Sequence, residues 1–276
     1  MLQKLNNYGQ EGFRTPVLGT DIGPDVTSGP FISFLPDSTT PALIRFNKSS
    51  DENSILTHAE LHQFVKEEFN LTSMGIGYGH RVALVLPNSP ELAVCLVCLV
   101  SHWCAAPINV TATSDEIIGE LNSTKAIAII IMDGFQNDAA IKAAQSLSIG
   151  VILIKKRAKV GLFDYFTHIP PKPEAATERF SYPKIISGFQ QFSHPEIVLL
   201  LHTSGTSGNK KCVPYTLDMI LIGAGCIISS WNLKATDKCL NMMPLFHIGG
   251  IVRNLFSPIF AGGSVICCPG FDPILV

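Results

Sequence analysis

The sequence predicts an α/β fold built around a parallel sheet. Three observations carry this reading: aliphatic runs alternate with helical segments over residues 81–154, the helices open on recognisable caps, and loops rich in Gly, Pro and Asn separate them. Arg81-Val82-Ala83-Leu84-Val85-Leu86 is apolar after its first residue and reads as a buried strand. In Pro87-Asn88-Ser89-Pro90-Glu91 a turn is followed by a serine N-cap and a proline at the first helical position, where a missing N–H costs nothing. The apolar helix that begins there spans residues 91–103. Thr113 and Glu116 have capping-box spacing and open a short helix, residues 126–131 and 151–154 read as strands, and residues 138–147 form the helix between them. Strand–helix–strand order requires crossover connections, and these make neighbouring strands parallel.

The flanking segments are read on the same grounds. Residues 1–30 hold Gly, Pro, Thr and Asp without periodicity and read as a loose N-terminal arm, leaving 31–276 as the folded unit. Thr57 and Glu60 form another capping box, with Leu61, Phe64 and Val65 on one helical face. Residues 155–193 are basic, then proline-rich, and read as a surface loop, with Lys155-Lys156-Arg157-Ala158-Lys159 as a solvated edge. A strand at Ile197-Val198-Leu199-Leu200-Leu201, a short strand at 212–214, a helix at 217–231 and strands at 239–243 and 263–268 complete the chain.

Composition removes several classes of function. A chain of 276 residues with 46% hydrophobic and 15% charged residues buries a sizeable core and is not disordered. Lys+Arg 20 against Asp+Glu 22 leaves a net charge of −2, which gives no electrostatic footprint for nucleic acid or an anionic membrane. Residues 92–108 are very apolar, but Ser101, His102 and Trp103 interrupt them short of the ~20 residues a membrane span needs, so a buried core helix is expected. No secretory h-region or familiar sorting signal is visible at the ends, and a cytoplasmic location is expected. The eight cysteines then read as reduced thiols, and Cys95-Leu96-Val97-Cys98, inside an aliphatic run without a turn, as structural.

The chemistry concentrates in His202-Thr203-Ser204-Gly205-Thr206-Ser207-Gly208-Asn209-Lys210-Lys211, directly after an apolar strand. Glycines let the backbone approach a ligand closely, while amide N–H groups, hydroxyls and lysine complement phosphate charge. A Walker A loop would end in Gly-Lys-Ser/Thr and enter a helix. Here Cys212-Val213-Pro214-Tyr215 follows, and Pro214 would break a helix, so a P-loop phosphotransferase is disfavoured.

The loop resembles the phosphate-binding signature Thr-Ser-Gly-Thr-Thr-Gly-x-Pro-Lys-Gly of the adenylate-forming, or AMP-binding, superfamily, which includes the acyl-CoA synthetases. Thr203-Ser204-Gly205-Thr206-Ser207-Gly208 differs from it only by Ser207 for threonine, and Lys211 falls on the signature lysine. Lys210 stands where proline is usual and Cys212 where glycine is usual. Leu86-Pro87-Asn88-Ser89-Pro90-Glu91 with Ala105-Ala106-Pro107-Ile108-Asn109 resembles an earlier motif of the family, and Met243-Pro244-Leu245-Phe246-His247-Ile248-Gly249-Gly250 a later one.

The resemblance implies layered sheets with flanking helices, as in the N-terminal domain of acyl-CoA synthetases, incomplete at the C-terminus. Nothing in the sequence resembles the family's Tyr-Gly-x-Thr-Glu segment, its ribose-binding aspartate, its hinge, or its C-terminal cap domain with the catalytic lysine. The implied activity is ATP-dependent conversion of a small-molecule carboxylic acid to an acyl-adenylate, then thioester formation with CoA or a carrier phosphopantetheine, with Mg²⁺ as cofactor. Thr203, Ser204, Gly205, Thr206, Ser207, Gly208 and Lys211 would hold the ATP phosphates, and Thr203 is the candidate Mg²⁺ contact. Lys211 and His247 are the candidate catalytic residues, His247 lining the acyl pocket. His202 is expected only to end its strand, and Lys210 to be a solvated turn lysine.

Two further expectations follow. A downstream half or a carrier protein would complement an incomplete chain, whose strands at 126–131 and 265–268 would lack neighbours. The alternative is a catalytically inert nucleotide-binding or interaction module derived from the family.

Overall fold

The computed structural model describes residues 31–46, 54–135, 137–172, 197–203 and 210–271; the arm expected at 1–30 lies outside them. Pro41–Arg45 (β1) and Ile55–Thr57 (β2), too short to show a period in the sequence, pair antiparallel. Thr57 then caps His58–Gln63 (α1): its hydroxyl accepts the Glu60 N–H and the Glu60 carboxylate accepts the Thr57 N–H at 2.8 Å, the capping box the spacing predicts. Arg81–Val85 (β3) is buried at every position. Ser89 accepts the Leu92 N–H and Pro90 occupies the first turn of Pro90–His102 (α2), whose residues Glu91 to Val100 are all buried.

Cys104–Pro107 (β4) leads to Ser114–Thr124 (α3), where Thr113 and Glu116 form the second capping box. Ala128–Met132 (β5), Asp138–Leu147 (α4) and Gly150–Lys156 (β6) follow. Then come Phe163–Ile169 (β7), Ile197–His202 (β8), Cys212–Thr216 (β9), Leu217–Trp231 (α5) and Lys238–Asn241 (β10). A π-helical segment Gly249–Phe256, the short helix Ser257–Phe260 (α6) and Ser264–Cys267 (β11) end the described chain. No helix among the described residues is long and apolar enough to cross a membrane.

The strands form two sheets. The seven-stranded sheet has the order β7-β6-β5-β3-β4-β8-β9, parallel from β6 to β8 with antiparallel strands at both edges. The four-stranded sheet has the order β10-β11-β1-β2, with β2 antiparallel. Alternation along β3 separates two cores. Val82 and Leu84 join the side chains of α2 on one face, and Ala83 and Val85 join Ile117 and Leu121 of α3 and Ala140, Ala143 and Ala144 of α4 on the other. On its remaining sides α2 meets β1 of the smaller sheet, so it is apolar all round because it has no solvent face. Cys95 and Cys98 lie on it, buried, and all eight cysteines are free.

Three expectations are corrected. The stretch at 155–193 is not loop throughout, since β7 pairs antiparallel with β6; β7 is mostly exposed, so its pattern is that of a polar edge strand. The basic cluster there is paired rather than merely solvated: Arg157 reaches Glu68 at 2.7 Å and Asp164 at 2.8 Å, and Lys159 reaches Glu60 at 2.7 Å. The strands expected to lack neighbours have them on both sides, β5 between β3 and β6 and β11 between β10 and β1. Strand β6 covers the outer side of β5, and the N-terminal strand β1 covers the outer side of β11.

His58 joins α1 to the turn before β11. Its Nε2 lies 3.2 and 3.0 Å from the Gly262 and Gly263 carbonyls, which can only accept, so Nε2 carries hydrogen. Its Nδ1 is buried without a hydrogen-bond partner among the described residues. Burial lowers the His58 pKa from its ordinary value of 6.5, and the two carbonyl bonds oppose this only in part. The unfolded chain therefore binds the proton more readily, and stability present above pH 6.5 is lost as pH falls below that value. His58→Gln keeps a donor for the carbonyls and removes the titration. Denaturant midpoints measured from about pH 7.5 to about pH 5 should fall less steeply in this variant than in the native chain.

Candidate active site

β8 is buried along its interior residues and delivers Thr203 to the carboxyl edge of the larger sheet. β9 returns antiparallel, with His202 opposite Cys212. The loop thus closes a hairpin, strand to strand, as Pro214 indicates and as a Walker A loop does not. The Thr203 N–H donates to the Lys211 carbonyl at 3.0 Å, and the Lys211 N–H donates to Thr203 Oγ1 at 3.2 Å. These two bonds clamp the mouth of the loop. Ser204, Gly205, Thr206, Ser207 and Gly208 lie outside the described residues. The chain leaves β4 toward β5 and leaves β8 toward β9, in opposite directions, and the carboxyl ends of two such neighbours are where α/β sheets bind ligands.

Helix α3 flanks the hairpin and contributes a residue that the motif reading missed. The buried Glu120 carboxylate holds Lys210 Nζ at 2.7 Å and His202 Nδ1 at 3.1 Å, and His202 Nε2 shares a hydrogen bond of 2.6 Å with Ser123 Oγ. Burial pushes the Glu120 carboxyl pKa up, but the bonds from His202 and Lys210 more than offset this and hold it below the usual carboxylate value. The same bond raises the Lys210 ammonium. Lys210 is therefore an anchored residue and not the solvated lysine expected. His202 ends β8 as expected, with its imidazole turned to α3. Glu120 has a sequence signal in retrospect: it lies three residues after Ile117 and one before Leu121, on the buried face of α3. Lys211 is exposed and forms no ion pair among the described residues.

His247 stands in a turn beyond β10, at the carboxyl edge of the smaller sheet. Its N–H donates to the Pro244 carbonyl at 3.2 Å, its ring lies 4.5 Å from that of Phe246, and its carbonyl accepts from Ile251. Asn88, from the turn after β3, braces this segment: Oδ1 accepts the Leu245 N–H at 3.1 Å and Nδ2 donates to the Cys268 carbonyl at 2.7 Å. Asn241 Oδ1 accepts from Met243 and Asn254. The structure thus joins Thr203 to Lys211 directly. His247 is linked to them through α5, which packs on both β9 and the π-helical segment. No cluster of three or more His, Cys, Asp or Glu side chains suited to a metal ion exists among the described residues.

Gly250 shows how tightly the turn is built. A Cβ there would overlap the Pro244 carbonyl, whereas one on Gly249 would meet its nearest atom, Arg253 Nη2, at 3.8 Å. Gly250→Ala should cost about 1–3 kcal/mol and disturb the turn carrying His247, while Gly249→Ala should stay within about 0.5 kcal/mol of the native chain. Paired denaturant titrations of the two variants check this.

Comparison with known proteins agrees with this architecture. The family model described as AMP-binding enzyme matches residues 37–275. An acyl-CoA synthetase of Gibberella moniliformis is 26% identical over 231 residues, covering 82% of this chain and 42% of that protein. Oxalate–CoA ligase of Arabidopsis thaliana is 28% identical over 214 residues, covering 76% of this chain and 39% of that protein. The chain therefore spans less than half the length of these relatives. Among solved structures, ATP-bound MatB from Rhodopseudomonas palustris superposes with a TM-score of 0.66 at 20% identity over 89% of this chain and 46% of that one. O-succinylbenzoate coenzyme A synthetase of Bacillus subtilis, in complex with ATP and magnesium ion, superposes with a TM-score of 0.60 at 19% identity over 86% of this chain and 55% of that one. Likeness at such identity establishes a common fold. With the family model matched along nearly the whole described chain, this protein belongs to the AMP-binding enzyme family.

Proposed function

We propose that this chain carries the phosphate-binding part of an ATP-dependent acid–thiol ligase. In the proposed reaction a carboxylate oxygen attacks the α-phosphorus of ATP and pyrophosphate leaves with the electrons of the broken P–O bond; a thiol of CoA or a carrier phosphopantetheine then displaces AMP from the acyl carbon. The observation that carries this reading is the Thr203–Lys211 clamp, which pins the two ends of a sequence of hydroxyls and glycines and presents one exposed lysine without a carboxylate partner among the described residues. The names of the relatives, acyl-CoA synthetase and oxalate–CoA ligase, support the reaction class.

An anionic nucleophile must approach a polyanionic nucleotide, so neutralisation of phosphate charge is the first requirement. Lys211 contributes a point charge at the β- and γ-phosphates. Ser204, Gly205, Thr206, Ser207 and Gly208 contribute amides, hydroxyls and close backbone approach. Thr203 Oγ1 accepts one bond from Lys211 and keeps its own proton and a second lone pair, so it can donate to phosphate or contact a cation. Mg²⁺ held mainly by phosphate oxygens and water would neutralise charge there, and it needs only one or two protein contacts. His247 orients the acid near this site. A cytoplasmic location and a complementing downstream half or carrier protein are parts of the same proposal.

The test is carboxylate-dependent ATP–pyrophosphate exchange with the purified 276-residue chain, alongside direct measurement of ATP affinity. ATP should bind, and Lys211→Ala should weaken it about tenfold or more, the loss expected of one charge-assisted phosphate contact. Exchange by the chain alone, or restored by adding a separately produced downstream half, supports the ligase. ATP binding with no exchange in either case selects the inert nucleotide-binding module instead.

A further inference from the structure

Glu120 joins the two ends of the phosphate loop through one buried carboxylate. Its Oε2 takes His202, the residue before Thr203, and its Oε1 takes Lys210, the residue before Lys211. Thr203 and Lys211 are the two residues that clamp the loop mouth. One helix side chain thus fixes the neighbour of each clamp residue. We propose that Glu120 is a positioning residue for the phosphate loop, setting the register of Thr203 against Lys211 and reserving Lys211 as the lysine that meets phosphate.

Three features favour this over a local ion pair. The side chains of Glu120 and His202 are both nearly inaccessible to solvent, so breaking their contact leaves buried polar atoms without compensation, and the arrangement is held to one geometry. Ser123 closes the far side of the imidazole, so the ring cannot rotate away from Glu120 without losing its second bond. Adjacent lysines would otherwise compete for the same anion. Drawing Lys210 toward α3 leaves Lys211 without a carboxylate competitor among the described residues. Glu116, one turn earlier on α3, adds to the pull on Lys210, and its own carboxylate is repelled by that of Glu120.

This inference rests on the nucleotide reading proposed above, and the experiment separates the two. Glu120→Gln keeps the shape of the side chain and removes its charge; Lys210→Gln removes one partner from an exposed position and serves if the first variant does not fold. Amide hydrogen exchange in the nucleotide-free chain reads the clamp directly. Exchange at the Thr203 and Lys211 amides should accelerate about tenfold in Glu120→Gln, while the amides of β3 and β5 stay unchanged, which a general loss of stability would not allow. ATP affinity should fall about tenfold, with Lys210→Gln adding little in the double variant because both substitutions break the same link.

Unchanged exchange at Thr203 and Lys211, or exchange raised equally throughout the sheet, overturns the positioning role. A native chain that fails to bind ATP, with the localised acceleration still present, overturns the nucleotide reading and leaves Glu120 as the residue that sets the loop.

Discussion

Helix α2 has sheet on two sides, and everything that could form an active site is placed by that burial. Its residues from Glu91 to Val100 meet β3, β4 and β8 of the larger sheet and β1 of the smaller one. Burying an aliphatic side chain contributes about 1.5–3 kcal/mol, so a helix with Leu92, Val94, Leu96, Val97, Leu99 and Val100 all buried is a dominant apolar contribution to the fold. It also fixes the distance between the sheets, because a helix cylinder with side chains is about 10 Å across.

The catalytic candidates depend on that spacing. Thr203 and Lys211 hang from the carboxyl edge of one sheet and His247 from the carboxyl edge of the other. Asn88 sits at the entry to α2 and ties the His247 turn to Cys268, so the start of the central helix is hydrogen-bonded to the end of the smaller sheet. Helix α5 makes the second connection, running from β9 to the π-helical segment. The candidate residues Thr203, Lys211 and His247 are therefore held by strand ends and short side-chain braces.

The local signals were the most legible part of the sequence. Both capping boxes, the Ser89 cap and the limits of α4 and α5 coincide with the structure, because each depends on residues within one turn of each other. What escaped depended on distant partners. The strands β1 and β2 are too short to show a period, and β7 presents mostly polar groups to solvent. Glu120 escaped because its role is set by residues 82 and 90 positions away, which no window along the chain can see. The family motifs, by contrast, were readable because their residues are contiguous and their order along the chain is kept.

The two departures from the family signature are then physically intelligible. Proline before the signature lysine would restrict the backbone on the exit side of the loop, and its loss returns conformational freedom worth about 0.4–1 kcal/mol to the unfolded chain. Lys210 replaces that covalent restriction with an electrostatic one, since its ammonium is held by a buried carboxylate on a neighbouring helix. Cys212 in place of glycine meets no conformational objection, because it lies in β9 and is not among the residues with positive φ. Its thiol stays free. The two ends of the signature segment, at His202 and Lys210, are thus held from outside by Glu120 of α3, a residue that the signature does not contain.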